Sequence, residues 1–264
     1  MHRCASEQPA AGRHLDEAFD PEIALEARPT EPSLSTRQVA QLLGIGQATV
    51  KRLANAGALG FLRSSRNESR RFAPRHVLDY LRRAARETDF ETALASGDLA
   101  ACIAALMLET VRGAALDDVL DDYVAPAAPR APATVVRELL ARLPAVVAET
   151  HKPTPAFVAT FGDVDGWPAR LVECSLRGHG YAVLMPAESQ GSSQIVDVVG
   201  RVRARVVALL AGPDAAARRE MAAVAAAILA RTRGTVVVVH GSASAPRGAS
   251  RIRAMRDLGR LLRR

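Results

Sequence analysis

The chain has 264 residues, 48% of them hydrophobic, and a formal net charge of +7. That length exceeds one ordinary domain and the apolar fraction supports packed cores, although aromatics at 4% leave those cores to Ala, Leu and Val. Three scattered cysteines, Cys4, Cys102 and Cys174, suggest neither a disulfide framework nor a metal site, and no long uncharged apolar run stands out, so the pattern predicts a cytoplasmic protein with no membrane partner.

Residues 1–33 are polar, proline-dotted and net −4, and read as a disordered leader. Residues 34–86 carry eleven Lys or Arg against two acids, a concentration of charge suited to a polyanionic partner. Within them LSTRQVAQLLGIGQATVKRLANAGALG reads as a helix-turn-helix. Ser35 is a good N-cap, Gln38 completes a capping box, and Leu34 with Val39 forms a hydrophobic staple. Val39, Leu42 and Leu43 point inward, Gly44 suits a left-handed C-cap, and Ile45 plugs the turn. A second helix, Gln47 to Ala56, buries Val50 and Leu53. Its other face displays Gln47, Thr49, Lys51, Arg52 and Asn55, side chains suited to base edges and phosphates. The apolar run Leu59 to Arg63, the polar SSRNES and then Arg70-Arg71-Phe72 predict two strands around a turn, a wing, followed by a helix from Pro74 to about Arg83. Arg37, Arg63, Arg66, Arg70 and Arg71 join the second helix as candidate DNA contacts.

Residues 87–150 hold four bases against eleven acids and read as a helical bundle: Phe90 to Ala95, Leu99 to Val111, Leu116 to Val124 and Thr134 to Glu149, with PAAPRAP at 126–132 as a separator. Residues 151–264, with seventeen bases against eight acids, alternate between strands and helices. Strands are expected at Ala156 to Phe161, Tyr181 to Met185, Val206 to Leu210 and Thr235 to Val239. The helices between them run Trp167 to Arg177, Ser193 to Arg201 and Asp214 to Arg231. Short, continuously apolar strands between helices indicate a parallel sheet covered on both faces. A basic helix from about Ala249 to Arg263 should close the chain, with Ile252, Met255, Leu258, Leu261 and Leu262 on one face. The expected architecture is therefore an N-terminal winged helix-turn-helix, a middle helical bundle and a C-terminal flavodoxin-like open parallel sheet.

The segment LSTRQVAQLLGIGQATVKRLANAGAL with RRFAPRHVLDYL resembles the DNA-binding domain of the MerR and excisionase-like winged-helix family. The three-part order resembles regulators of that class that carry a cobalamin-binding module. ALASGDLAACIAALMLETVRGAALDDVLDDYVAPA looks like the start of its bundle, and FVATFGDVDGWPARLVECSLRGHGYAVLMP like its first strand, loop, helix and second strand. In that family the loop after the first strand supplies a histidine beneath the cobalt, in the pattern Asp, any residue, His, any two, Gly. Here the stretch is Asp163-Val164-Asp165-Gly166-Trp167-Pro168, with Asp165 at the histidine position and Pro168 at the glycine. Aspartate is a hard oxygen ligand, poorly matched to cobalt. The family's upper-face tryptophan and Glu-His pair have no counterpart between Pro126 and Thr134. No cofactor is therefore expected.

Of the remaining polar residues, Asp165 and His240 are candidates for touching a ligand, since both fall at the carboxyl edge of the sheet. Asp163 with Asp165 suits a cation or a carboxylate pair, with helix capping the plainer role, and His179 is expected in a solvated turn. No nucleophile, base and orienter assemble, the glycines form no phosphate loop, and no metal site or enzyme is expected. The resemblance and the charge pattern together imply a transcriptional regulator that binds double-stranded DNA as a homo-oligomer, its C-terminal region dimerising or sensing an unknown small molecule or regulatory protein. Two alternatives stay open: a regulator sensing haem or another tetrapyrrole, and an excisionase-type architectural DNA-binding protein.

Overall fold

Ser35 opens the first helix, and the chain then follows its local rules closely. The computed structural model describes residues 33–62, 69–85, 89–147, 153–164, 166–186, 191–240 and 245–263. Residues 1–32 of the proposed leader, Arg63 and Arg66, Asp165 and His151 lie outside the described residues. Strand β1 (Leu34–Ser35) leads into α1 (Thr36–Leu43), and the Ser35–Gln38 capping box forms in both directions. Helix α1 ends at Gly44, whose φ of 68° is the left-handed geometry that favours glycine. Helix α2 (Gln47–Asn55) follows, burying Val50 and Ala54. Leu62 bridges Arg71 in antiparallel fashion, and β2 (Arg71–Phe72) also pairs with β1, so Leu34, Phe72 and Val39 close over one small core. Helix α3 (Pro74–Ala84) starts with proline in its first turn, where the missing N–H costs nothing.

The bundle comprises α4 (Phe90–Ser96), α5 (Leu99–Val111), α6 (Leu116–Val119), the short α7 (Ala125–Ala127) and α8 (Ala133–Arg142). Two features depart from expectation. Helix α6 runs on through a π-helical stretch, Leu120–Val124, into α7 and a 3-10 turn, Ala128–Arg130, so the prolines at 126 and 129 sit within helical turns instead of separating them. Helix α8 stops at Arg142, short of the expected Glu149, because Pro144 cannot extend it; a 3-10 turn, Leu143–Val146, follows.

The last part contains β3 (Thr154–Phe161), α9 (Gly166–Gly178), β4 (Tyr181–Leu184), α10 (Ser192–Val202), β5 (Val206–Ala211), α11 (Ala215–Arg231), β6 (Val236–His240), β7 (Ser250–Ile252) and α12 (Met255–Leu262). All five strands are parallel, in the order β4-β3-β5-β6-β7, which is the flavodoxin-like order with its switch point between β3 and β5. The segment expected as one helix from Ala249 begins instead as the edge strand β7, and Ile252 serves that strand. Met255 and Leu258 do fall on the buried face of α12, as the helical spacing predicts.

Alternating strand residues feed two cores. Phe157, Val207, Leu209 and Val237 pack under α10 and α11. Ala156, Val158, Val206 and Val238 join a second core that continues through α9 and α12 into the bundle and on to the helix-turn-helix. The three parts of the chain thus share one continuous apolar interior. Cys102 and Cys174 lie in it as free thiols, and burial pushes Cys102 up to about 12 and Cys174 higher still. Because the thiolate is the reactive form, neither should be alkylated by iodoacetamide at mild alkaline pH until denaturant is added. Peptide mapping that found either modified in the native protein would contradict this packing.

Candidate nucleic-acid interface

Helix α2 contributes the exposed side chains. Its inward positions, Val50 and Ala54, fix its rotation, so that Gln47, Lys51, Arg52 and Asn55 point to solvent and Thr49 is half-buried at the flank. Arg37 is exposed on α1. Arg70, a candidate DNA contact, also has partners within the domain. Its guanidinium lies 4.9 Å from the centre of the Phe61 ring, donates to the Lys51 carbonyl at 3.0 Å, and also donates to Asn55 Oδ1. Arginine has only donors, so this bond fixes the Asn55 amide with its oxygen toward Arg70 and its NH2 outward. Arg71 donates to the Ser33 carbonyl at 2.8 Å and to its hydroxyl at 3.1 Å, tying β2 to the residue before β1. Arg71 is exposed and Arg70 half-buried, so both add positive charge to this face while already bracing it.

The opposite side of the helix-turn-helix is joined to the bundle. Gln38, only 3% exposed, uses its Oε1 for the capping box while its Nε2 donates to the carbonyls of Ala145 at 3.2 Å and Val147 at 2.6 Å. Gln41 Nε2 donates to the Ala141 carbonyl at 3.2 Å, and the Arg142 guanidinium donates to the Leu43 carbonyl at 3.3 Å, meeting the end of α1 as a cation should. The capping box was legible in the sequence; the second use of Gln38 was not, because its partners lie more than a hundred residues away.

At the carboxyl edge of the sheet, where this topology places ligands, the described turns after β3 and β5 come close together. A Cβ at Gly212 would lie 2.5 Å from the Asp163 carbonyl oxygen, so the turns after β3 and β5 touch backbone to backbone at the switch point. The neighbouring N-terminus of α11 is also taken, since Asp214 accepts from the amides of Ala216 and Ala217. Those bonds hold its carboxyl below the usual range. Helix α9 begins at Gly166, leaving no long loop after β3. His240 ends β6 half-buried, and burial holds its imidazole below the usual range, partly countered by Asp121. His240 is thus at the carboxyl edge, as expected, but within β6 and beside the edge strand β7. Asp163 is exposed, and among the described residues no group of His, Cys, Asp or Glu is arranged to hold a metal.

His179 lies in the turn after α9, as expected, but it is half-buried and paired, not simply solvated. Its Nε2 lies 2.8 Å from Asp117 Oδ2, and Ser175 Oγ donates to Asp117 Oδ1 at 2.6 Å. The carboxylate stands between the hydroxyl and the imidazole, so no serine nucleophile is activated here; the trio satisfies a buried aspartate. The acidic bundle does meet the basic C-terminal part within the same chain. Asp121 accepts the Met255 and Arg256 amides at the start of α12, and the Arg256 side chain reaches Asp118, Asp121 and Asp122.

Residues 33–85 match a family described as a helix-turn-helix domain. No curated protein matches the chain by sequence. Among solved structures, the chain is similar to a cobalamin-binding protein from Desulfitobacterium hafniense, with 15% identity, coverage of 67% of this chain and 98% of that one, and a TM-score of 0.39. It is similar to the monomethylamine corrinoid protein of Methanosarcina barkeri, with 10% identity, coverage of 65% and 94%, and a TM-score of 0.42. It is also similar to the methanol:cobalamin methyltransferase complex MtaBC of the same organism, with 12% identity, coverage of 83% and 93%, and a TM-score of 0.40. Among the described residues no helix is long and apolar enough to cross a membrane.

Proposed function

We propose that this chain is a DNA-binding transcriptional regulator of the MerR-like winged-helix kind, with α2 as its recognition helix and a wing carried by the antiparallel Leu62–Arg71 pair. One observation carries the reading: the polar face of α2 stands exposed, braced by Arg70, while the other side of the same domain is anchored to the rest of the chain. A helix so presented can enter a major groove, with Gln47, Thr49, Lys51 and Arg52 toward bases and phosphates. The concentration of positive charge in residues 34–86 supplies the attraction for the backbone. One such module reads a short half-site, so specific binding calls for a second copy from another protomer, with half-sites about a helical turn apart or a multiple of it.

The test is selection of double-stranded DNA by the full chain from a randomised pool, followed by titration of the selected site at several salt concentrations. The expected outcome is a two-fold-related pair of half-sites and an affinity that falls steeply with salt. Failure to enrich any sequence, together with salt-independent binding, would defeat the reading.

A further inference from the structure

Between α8 and α9 lies a cavity of about 310 Å³, lined by Arg137, Glu138, Leu140, Ala141, Arg170, Glu173 and Arg177. Its size falls at the lower end of small-molecule sites. Three guanidinium groups face two carboxylates, and both carboxylates are already engaged. Glu173 accepts from Arg170 at 2.6 Å and from Arg177 at 2.7 Å, while Glu138 pairs with Arg142 at 2.8 Å. Each guanidinium has five N–H donors in a planar fork, so Arg170 and Arg177 keep donors to spare. Arg137 is exposed and makes no ion pair among the described residues. Leu140 and Ala141 add an apolar wall. A surplus of arginine donors beside a small apolar surface suits a compact organic molecule that ends in a carboxylate or phosphate.

We propose that this cavity is a binding site for a small organic anion, gripped by Arg137 together with Arg170 and Arg177. Its position gives the anion a consequence that rests on the DNA-binding reading above. The cavity wall includes Glu138, which holds Arg142 against the Leu43 carbonyl, and Ala141, whose carbonyl accepts from Gln41. Those are the bonds that fasten α8 to α1, so an occupant that draws α8 toward α9 bears directly on the placement of the helix-turn-helix.

Isothermal titration calorimetry of the full chain with succinate, glycerol 3-phosphate and inorganic phosphate tests the site without reference to DNA. Saturable binding of succinate or glycerol 3-phosphate to one site per chain is expected, and the stronger of the two identifies the headgroup. Loss of one charged donor in Arg137→Ala should weaken it about tenfold or more, with an unchanged melting temperature, since that side chain makes no ion pair among the described residues. Arg201→Ala, on the exposed face of α10, should bind as the parent does. Absence of saturable binding by all three probes, or equal binding by Arg137→Ala, overturns the site. In the second arm, saturating probe should shift affinity for the selected DNA severalfold in the parent and not in Arg137→Ala; an unshifted affinity overturns the coupling to α1. Binding of the anion by a chain that selects no DNA would leave the site standing and defeat the DNA-binding reading alone.

Discussion

In a titration of the full chain against its selected site, Arg52→Ala is expected to weaken binding by about 1–3 kcal/mol, roughly 5- to 150-fold, with much less loss on unrelated DNA. Arg52 is exposed on α2, and no other described group engages it, so its fork is free to meet a guanine edge bidentately. Lys51, its neighbour, is a point charge on a flexible stem. Lys51→Ala should cost affinity on all sequences alike and reduce the slope of log affinity against log salt by about one. Arg70→Ala should combine both effects. It removes a positive charge, and it also releases Asn55 and the Lys51 carbonyl, which set the pose of the end of α2. With its oxygen turned to Arg70, Asn55 offers DNA only donors, which argues against its reading adenine, where asparagine must also accept. Equal losses on selected and unrelated DNA for Arg52→Ala would remove it from base reading.

The helix-turn-helix was legible because its determinants are local. Ser35, Gln38, Gly44 and Pro74 each act within a few residues of themselves, and the structure bears out each of those roles. The parallel strands were legible for a similar reason, since runs such as VVALLA are apolar on both faces and admit few other uses. Strand β7 was hidden because Ser250-Arg251-Ile252 has one apolar residue, all that an edge position requires, and because the spacing from Ile252 to Met255 mimics a helix turn. The role of His179 was hidden because its partner, Asp117, lies sixty-two residues earlier on an acidic helix that reads as solvent-facing. Gln38 shows both cases in one side chain: its acceptor follows a sequence rule, and its donors answer to tertiary packing.

That junction at Asp117 carries the largest expected effect on stability. Helix α12 crosses Asp117 at Gly259, where an added Cβ would sit 1.9 Å from the carboxylate oxygen Oδ2 and 3.2 Å from His179 Nε2. Asp117 is 3% exposed, and its two oxygens are already held by Ser175 and His179. A methyl group at 259 must therefore push the carboxylate off its donors or lift α12. Lifting the helix also draws the Met255 and Arg256 amides away from Asp121. Overpacking costs about 1–3 kcal/mol and loss of a buried charged hydrogen bond about as much again. The gain in helix propensity from Gly to Ala offsets about 1 kcal/mol. Gly259→Ala should be destabilised by about 2 kcal/mol or more, a fall in Tm of at least roughly 4–8 °C for a chain of this size. Gly200, exposed near the end of α10 with nothing within 4 Å of its added Cβ, provides the opposite case. Gly200→Ala should leave Tm unchanged or raise it, since propensity is the main term that changes. If thermal unfolding ranked the two variants equally, Asp117 would not lie beneath α12, and the bundle would be docked on the sheet domain in some other way.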